Sequence, residues 1–483
     1  MNLSTALNSA LSGLVANGRA SSNVSDNLAN ALTPGYARRS LELASRGEPG
    51  LGVRVVGVVR NVDPAVLSSR RAADADAARA QVRADFYNRV TAVTGIPSDP
   101  DSISARMSAF ENGLIAAASN PDSAQRLDES VLRAKDLADL LNTATDAVQA
   151  RRTHADSEIG NLVDELNLAL KDIEALNEKI TAVQAGGRSS ASLEDQRQTL
   201  VDRINQVVPV RVIPRDHGQI ALFATGGAIL LDGSAGEIGF TRTNTIVAEM
   251  RVESGALSGL TLNGNPISTD SNRSGLRGGE LLAQFEVRDE LGVAVQADLD
   301  AIARDLIERF EAPGLDATLA PGDPGLFTDD GDAIDLSLEA GLAGRIAVNS
   351  VVDPDAGGEP WRIRDGLGAA VPGPPGDARF LQALTGALTD TRVLGSGSFG
   401  TGQMSASDVG TAFLSGIAVA TSNAEQRLTF ATTTQTEMQH IELTQGVDTD
   451  AELAHLMLIE QAYGANARMI QAVSEMMDAL LRI

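Results

Sequence analysis

His154, His217, His440 and His455 are the side chains of this sequence best suited to proton transfer or metal binding near neutral pH. A helical zinc pair needs two histidines four residues apart, and no two of these stand so. His154 and His440 fall in predicted helices and His217 in a predicted turn, so each reads as a solvated surface residue. Asp448-Thr449-Asp450-Ala451-Glu452 begins like an EF-hand loop, but Leu453 and Ile459 occupy the positions that require Gly and Glu. A capping box of Thr449 with Glu452, opening a helix, accounts for those acids. Asp329-Asp330-Gly331-Asp332 stands as an open Ca²⁺ candidate in a surface loop. No phosphate-binding glycine loop, nucleophile elbow or dinucleotide fingerprint occurs, and no serine has a motif that assigns it a base. The sequence therefore offers no catalytic, cofactor-binding or metal residue, and the chain is not expected to be an enzyme.

The bulk composition excludes further classes. A formal charge of −25, from 64 acidic and 39 basic residues, argues against nucleic acid and against anionic membranes. With no cysteine there is neither a disulfide framework nor a thiolate ligand. No apolar run approaches the roughly 20 residues of a membrane span, and the N-terminus lacks the pattern of a cleaved secretory signal. The expectation is a protein that stays inside or leaves by a route that removes nothing. Aromatics are only 3 % of the 483 residues, so Ala, Leu and Val must fill the cores of an expected two to four domains.

Both ends of the chain carry a seam. Leu3, Leu7, Ala10, Leu14, Asn17, Ser21, Val24, Leu28 and Ala31 follow 3-4 spacing, with a polar step in the middle. Around that stripe lie Ser, Asn, Thr and Gly, and Arg19 and Asp26 are the only charges before Pro34. Such a helix is weakly ordered alone and is suited to packing on several sides. Thr33-Pro34-Gly35-Tyr36 fits a type II turn that ends it. At the other end Leu456, Ile459, Tyr463, Asn466, Ile470, Val473, Met477 and Leu480 make a near-complete heptad stripe. The natural use of two such segments is to pair with each other and with neighbours.

The region between them predicts the fold class: α+β and multidomain, a long-helix, coiled-coil-like bundle built from both chain ends with an inserted mainly-β outer domain. Segments 1–33 and 452–483 are expected to form an inner core domain, and 34–60 an extended connector. Residues 61–206, 275–312 and 400–447 read as a helical domain, opened by the Asp63-Pro64 cap and containing some 60 helical residues before Val183. Residues 207–274 and 313–399 read as mainly β, from short apolar runs, the Asn263-Gly264 hairpin signal and abundant Gly and Pro.

The stretch Ser25 to Ser40, SDNLANALTPGYARRS, resembles the N-terminal signature of bacterial flagellar axial proteins of the rod, hook and hook-associated group. The tail from Glu452 to Ile483, with Gln461-Ala462-Tyr463 and the closing Glu475-Met476-Met477-Asp478-Ala479-Leu480-Leu481, resembles the matching C-terminal signature. Its length, the long helices of 63–205 and the returning Phe285-Glu286-Val287-Arg288-Asp289-Glu290 look like the hook-associated, junction-forming branch. The resemblance implies a structural subunit, secreted without a cleaved signal, lying outside the cell between hook and filament and assembled helically around the export channel. Implied partners are hook protein, a second hook–filament junction protein, copies of itself in a ring and an export chaperone on the C-terminal segment. Neither nucleic acid nor membrane insertion is implied. A hook-like axial protein is the alternative within the group. A coiled-coil adhesin or signalling protein would explain the heptads but not both termini.

Overall fold

A computed structural model describes residues 3–33, 35–46, 52–270 and 273–481. Helix α1, Leu3–Ala29, carries the uncharged N-terminal stripe. Beyond it the Tyr36 amide donates to the Thr33 carbonyl at 3.1 Å, and Gly35 has φ +78°, the geometry that closes a type II turn. Pro34 lies outside the described residues. The chain then forms β1, Arg38–Ser45, and β2, Val53–Asn61, an antiparallel pair with a bulge between Glu42 and Leu43. The expected extended segment of 34–60 thus contains two strands that pair with each other. An isolated extended segment would leave its backbone groups to water, whereas folding back pairs them.

Asp63 accepts the Ala65 and Val66 amides at 2.8 and 3.3 Å, and Pro64 fills the first helical position of α2, Pro64–Thr94. Helices α3, Ile103–Ser119, and α4, Ala124–Ala185, follow. At 1.5 Å per residue α4 is about 90 Å long. It folds back through a glycine turn into α5, Ala191–Val207. Strands β3, Val210–Pro214, β4, Ile220–Ala224, β5, Ile229–Asp232, and β6, Ser234–Ala235, form one antiparallel sheet in that order. Strands β7, Ile238–Gly239, β8, Leu260–Leu262, and β9, Asn265–Ile267, form a second.

Helix returns as α6, Gly279–Phe285, passes through a wide π turn at Glu286–Leu291, and continues as α7, Gly292–Phe310. Two short strands, β10, Phe327–Asp329, and β11, Ile346–Val348, pair antiparallel. Helices α8, Arg362–Asp365, α9, Arg379–Thr389, α10, Ala406–Thr444, and α11, Thr449–Leu481, complete the chain. Long helices at both ends with small sheets between them are the α+β arrangement expected.

Two cores share α4 as their spine. Its first half packs with α3, α7 and the start of α10 around Phe110, Phe310 and Phe327, whose rings lie 5.4–6.0 Å apart. Its second half packs Ile159, Leu166 and Ile173 against α5, α6 and the sheets. Residues 313–399 were expected to share a mainly-β domain with 207–274, and here the structure differs. Leu326, Phe327, Ile346, Ile363 and Leu384 belong to the first core, while 207–274 packs on the second. Gly and Pro mark where this segment turns but not what its pieces pack on. Its longest element is α9, whose buried Leu381, Leu384 and Leu388 keep helical spacing. Arg362 and Ile363 lie in α8, a helical turn within the segment expected to be mainly β.

Candidate functional site

Helices α1 and α11 lie against each other along their lengths. Ala10, Ala16 and Val24 from α1 and Ile459 and Val473 from α11 are buried, while Leu3, Leu7, Leu14, Leu456 and Ile470 are half-buried. A Cβ on Gly13 would stand 2.7 Å from Asn466 Nδ2, so a side chain there would hold the helices apart. Two helices can bury only one stripe each, and the rest of the apolar surface stays outside. Tyr463, Met477 and Leu480, expected in the seam, are exposed in the single chain, as are Leu11, Val15, Leu458 and Met469. Leu28 is also exposed, at 38 %, because the stripe rolls by one residue after Val24 and Asn27 points inward in its place.

Asn27 is fully buried and uses all the hydrogen-bonding capacity of its amide. Nδ2 donates to the Arg39 carbonyl at 2.9 Å and to Glu452 Oε2 at 3.1 Å. Oδ1 accepts from the Tyr36 hydroxyl and from the Arg39 amide, each at 2.9 Å. One side chain thereby ties α1 to the turn, to β1 and to α11. Burial pushes the Tyr36 phenol up, while the Arg39 guanidinium, 4.8 Å over its ring, pulls the other way.

Glu452 is 1 % exposed, and its other oxygen meets Arg38 Nε at 2.7 Å. The expected Thr449–Glu452 capping box is therefore corrected. Asp448 caps α11 instead, accepting the Asp450 and Ala451 amides at 2.9 and 3.1 Å. A cation brought in from β1 and a buried amide from α1 hold the Glu452 carboxylate where local capping would have turned it back. On the other side of the hairpin Arg39 Nη2 and Arg60 Nε reach the two oxygens of Asp195 on α5, at 2.8 and 2.7 Å. Asn27, Arg38, Arg39, Glu452 and Asp195 so form a polar clasp joining the paired ends to the helices outside them. Sequence spacing could not find it, because Asn27 and Glu452 are 425 residues apart.

Further ionic knots brace those outer helices. Arg70 joins Asp74, Asp202 and Glu442 at 2.7–2.8 Å, linking α2, α5 and α10. In the π turn, Glu286 grips Arg79 and Arg83 of α2, and the wholly buried Arg288 meets Asp156 of α4 at 2.7 Å. Arg152 is also buried, held by the Arg288 and Met250 carbonyls at 2.7 Å, and burial lowers its pKa to about 10. The Ca²⁺ candidate is committed elsewhere: the Asp329 carboxylate receives Arg345 Nε at 2.7 Å and Nη2 at 3.2 Å. Among the described residues no three His, Cys, Asp or Glu side chains group as a metal site would require, and no helix is long and apolar enough to cross a membrane. All four histidines are exposed.

Comparison with known proteins gives consistent matches. The family described as "Flagellar hook-associated protein FlgK helical domain" matches residues 90–325, and "Flagellar basal body rod FlgEFG protein C-terminal" matches residues 443–483. The chain is 24 % identical to flagellar hook-associated protein 1 of Escherichia coli K12 over 553 aligned residues, covering 100 % of both chains. It is 22 % identical to the Bacillus subtilis protein of that name over 516, covering 98 % of this chain and 97 % of that one. The Salmonella typhimurium protein is 28 % identical over 242, covering 48 % of this chain and 43 % of the relative. The structure of the flagellar hook junction protein FlgK from Burkholderia pseudomallei aligns with a TM-score of 0.44 and 20 % identity, over 55 % of this chain and 46 % of that one.

Proposed function

We propose, since this chain belongs to the flagellar hook-associated protein 1 family, that it is a structural subunit of the flagellum which joins hook to filament by assembling helically around the export channel. The observation that carries this reading is the apolar surface left outside the α1–α11 pair. Leu11 and Leu458, 52 % and 63 % exposed, lie on helices whose inner stripes are already used. Burying a Leu of that kind against a neighbour contributes roughly 1–2 kcal/mol. A subunit with such residues on both terminal helices gains more from several neighbours than from a closed dimer. The chain acts mechanically, without catalysis. Its contacts are with hook protein, a second junction protein and copies of itself, and an export chaperone covers the C-terminal segment before assembly. It reaches the outside of the cell without a cleaved signal. The terminal helices of 1–33 and 452–483 form the innermost layer.

The test is Leu11→Asp combined with Val15→Asp. Thermal unfolding of the helical region should match the parent chain, while incorporation into flagella is lost. Normal incorporation of the double variant would overturn the assembly role of this face.

A further inference from the structure

A cavity of about 400 Å³ lies where the end of β2, the start of α2, α5 and β3 meet. Arg60, Arg71, Arg197 and Arg211 line it against a single carboxylate, Glu194, in a chain whose net charge is −25. Arg60 and Arg71 are held by Asp195 and Asp202. Arg197 and Arg211 form no ion pair among the described residues, although Glu194 acts on Arg197 against the larger effect of burial. Arg211 is exposed, but Arg197 is only 8 % exposed, and a cation buried to that degree is normally paired. Its Nη1 donates to Asn177 Oδ1 and to the Gly218 carbonyl, each at 2.7 Å. Its Nε and Nη2 donate to nothing among the described residues, and neither is sealed off from solvent. Burial pushes its pKa below the usual arginine value, the mark of a guanidinium whose charge is not fully compensated.

The remaining wall is apolar, including Leu67 and Val201. An inorganic anion would satisfy the guanidiniums and leave that wall wet. A carboxylate on a hydrocarbon stem satisfies both, through a charge-assisted contact with arginine. In an assembly of identical acidic chains, the carboxylates in greatest supply are those of neighbouring subunits. We propose that this cavity receives a carboxylate-bearing segment of a second copy of the chain in the assembled junction, an inference that rests on the self-assembly reading above. The contact would lie outside the terminal helices, fixing the rotation of one subunit on the next at a second radius.

A photo-crosslinking residue, p-benzoylphenylalanine, placed at Pro214 on the cavity rim keeps all four arginines; a second variant carries it at Leu11. Each is assembled into flagella, irradiated, and its product mapped by mass spectrometry. Expected is a chain-to-chain product from Pro214 whose partner peptide contains Asp or Glu, reduced about tenfold or more by Arg211→Glu and retained with Arg211→Lys. A self-product from Leu11 but none from Pro214 overturns the cavity assignment while leaving self-assembly intact, and so does a Pro214 product with another protein. A Pro214 product insensitive to Arg211→Glu overturns recognition by charge. Absence of a self-product from both positions refutes the assembly reading itself.

Discussion

Asn27→Ala removes one short side chain and strands several partners. The Arg39 amide and carbonyl, each 2.9 Å from the Asn27 amide, lose their hydrogen bonds, whereas Glu452 keeps Arg38 and the half-buried Tyr36 hydroxyl can turn toward water. At about 1–2 kcal/mol for each of the two stranded backbone groups, closing the clasp loses about 2–4 kcal/mol. The peptide bonds after Arg38 and Arg39 are tryptic sites that the clasp protects. When reclosing is fast relative to cleavage, proteolysis follows the open population, so cleavage there should rise about 30- to 1,000-fold. Asn27→Asp keeps the shape but replaces two donors with acceptors facing Glu452 Oε2 and the Arg39 carbonyl; it should be at least as damaging as Ala. Timed trypsin digestion of the full chain, with fragments identified by mass, reads both variants against the parent. Cleavage within threefold of the parent for Asn27→Ala, or a parent-like Asn27→Asp, would refute the clasp as the device that holds the single chain closed.

Other substitutions test other contacts. Gly13→Leu should push α11 away through Asn466, at a cost of about 1–3 kcal/mol, and speed amide exchange in α1 and α11 about 5- to 150-fold while α2–α5 are unchanged. Arg152→Ala leaves the Arg288, Val247 and Met250 carbonyls facing a void and should cost about 3–5 kcal/mol in urea unfolding of the helical region. Glu280 has its pKa raised by burial first and then by Glu158 and Glu165. Its protonated form is the one the fold favours, so that stabilising contribution is present at low pH and is lost as pH rises through the folded pKa. Glu280→Gln should therefore melt above the parent at pH 7, and the gap should close as the pH falls toward 4.

Regular periodicity was legible where it was long. The Asp63 cap and the extent of α4 follow from local spacing, because each residue's role there is set by neighbours three or four positions away, whereas of the two terminal stripes Val24, Ile459 and Val473 are buried and Leu28, Tyr463, Met477 and Leu480 are exposed. The clasp was not legible, for the opposite reason. Glu452 has the spacing of a cap, and nothing nearby reveals that Arg38 will claim it. Leu28 fits the 3-4 stripe better than Asn27 does, yet Asn27 alone can satisfy four polar partners at the helix end, so polarity overrides apolar patterning there. The segment 313–399 was misread because turn residues record where a chain bends. Its buried leucines, isoleucines and Phe327 belong to a core assembled with α3, α4 and α7, and only tertiary packing identifies their partners. The π turn at Glu286–Leu291 has no local signature, and what sustains it is the ionic grip of Glu286 and Arg288.

The pairing of α1 with α11 also sets an order of events. The first core needs Phe413 and Ile417 of α10 as well as Phe86 of α2, and α1 pairs with α11, the last helix of the chain. Neither terminal helix has its partner until the other is present. A chain shortened before α11 therefore leaves α1 without this partner, while the two cores built on α4 contain no residue of either terminal helix.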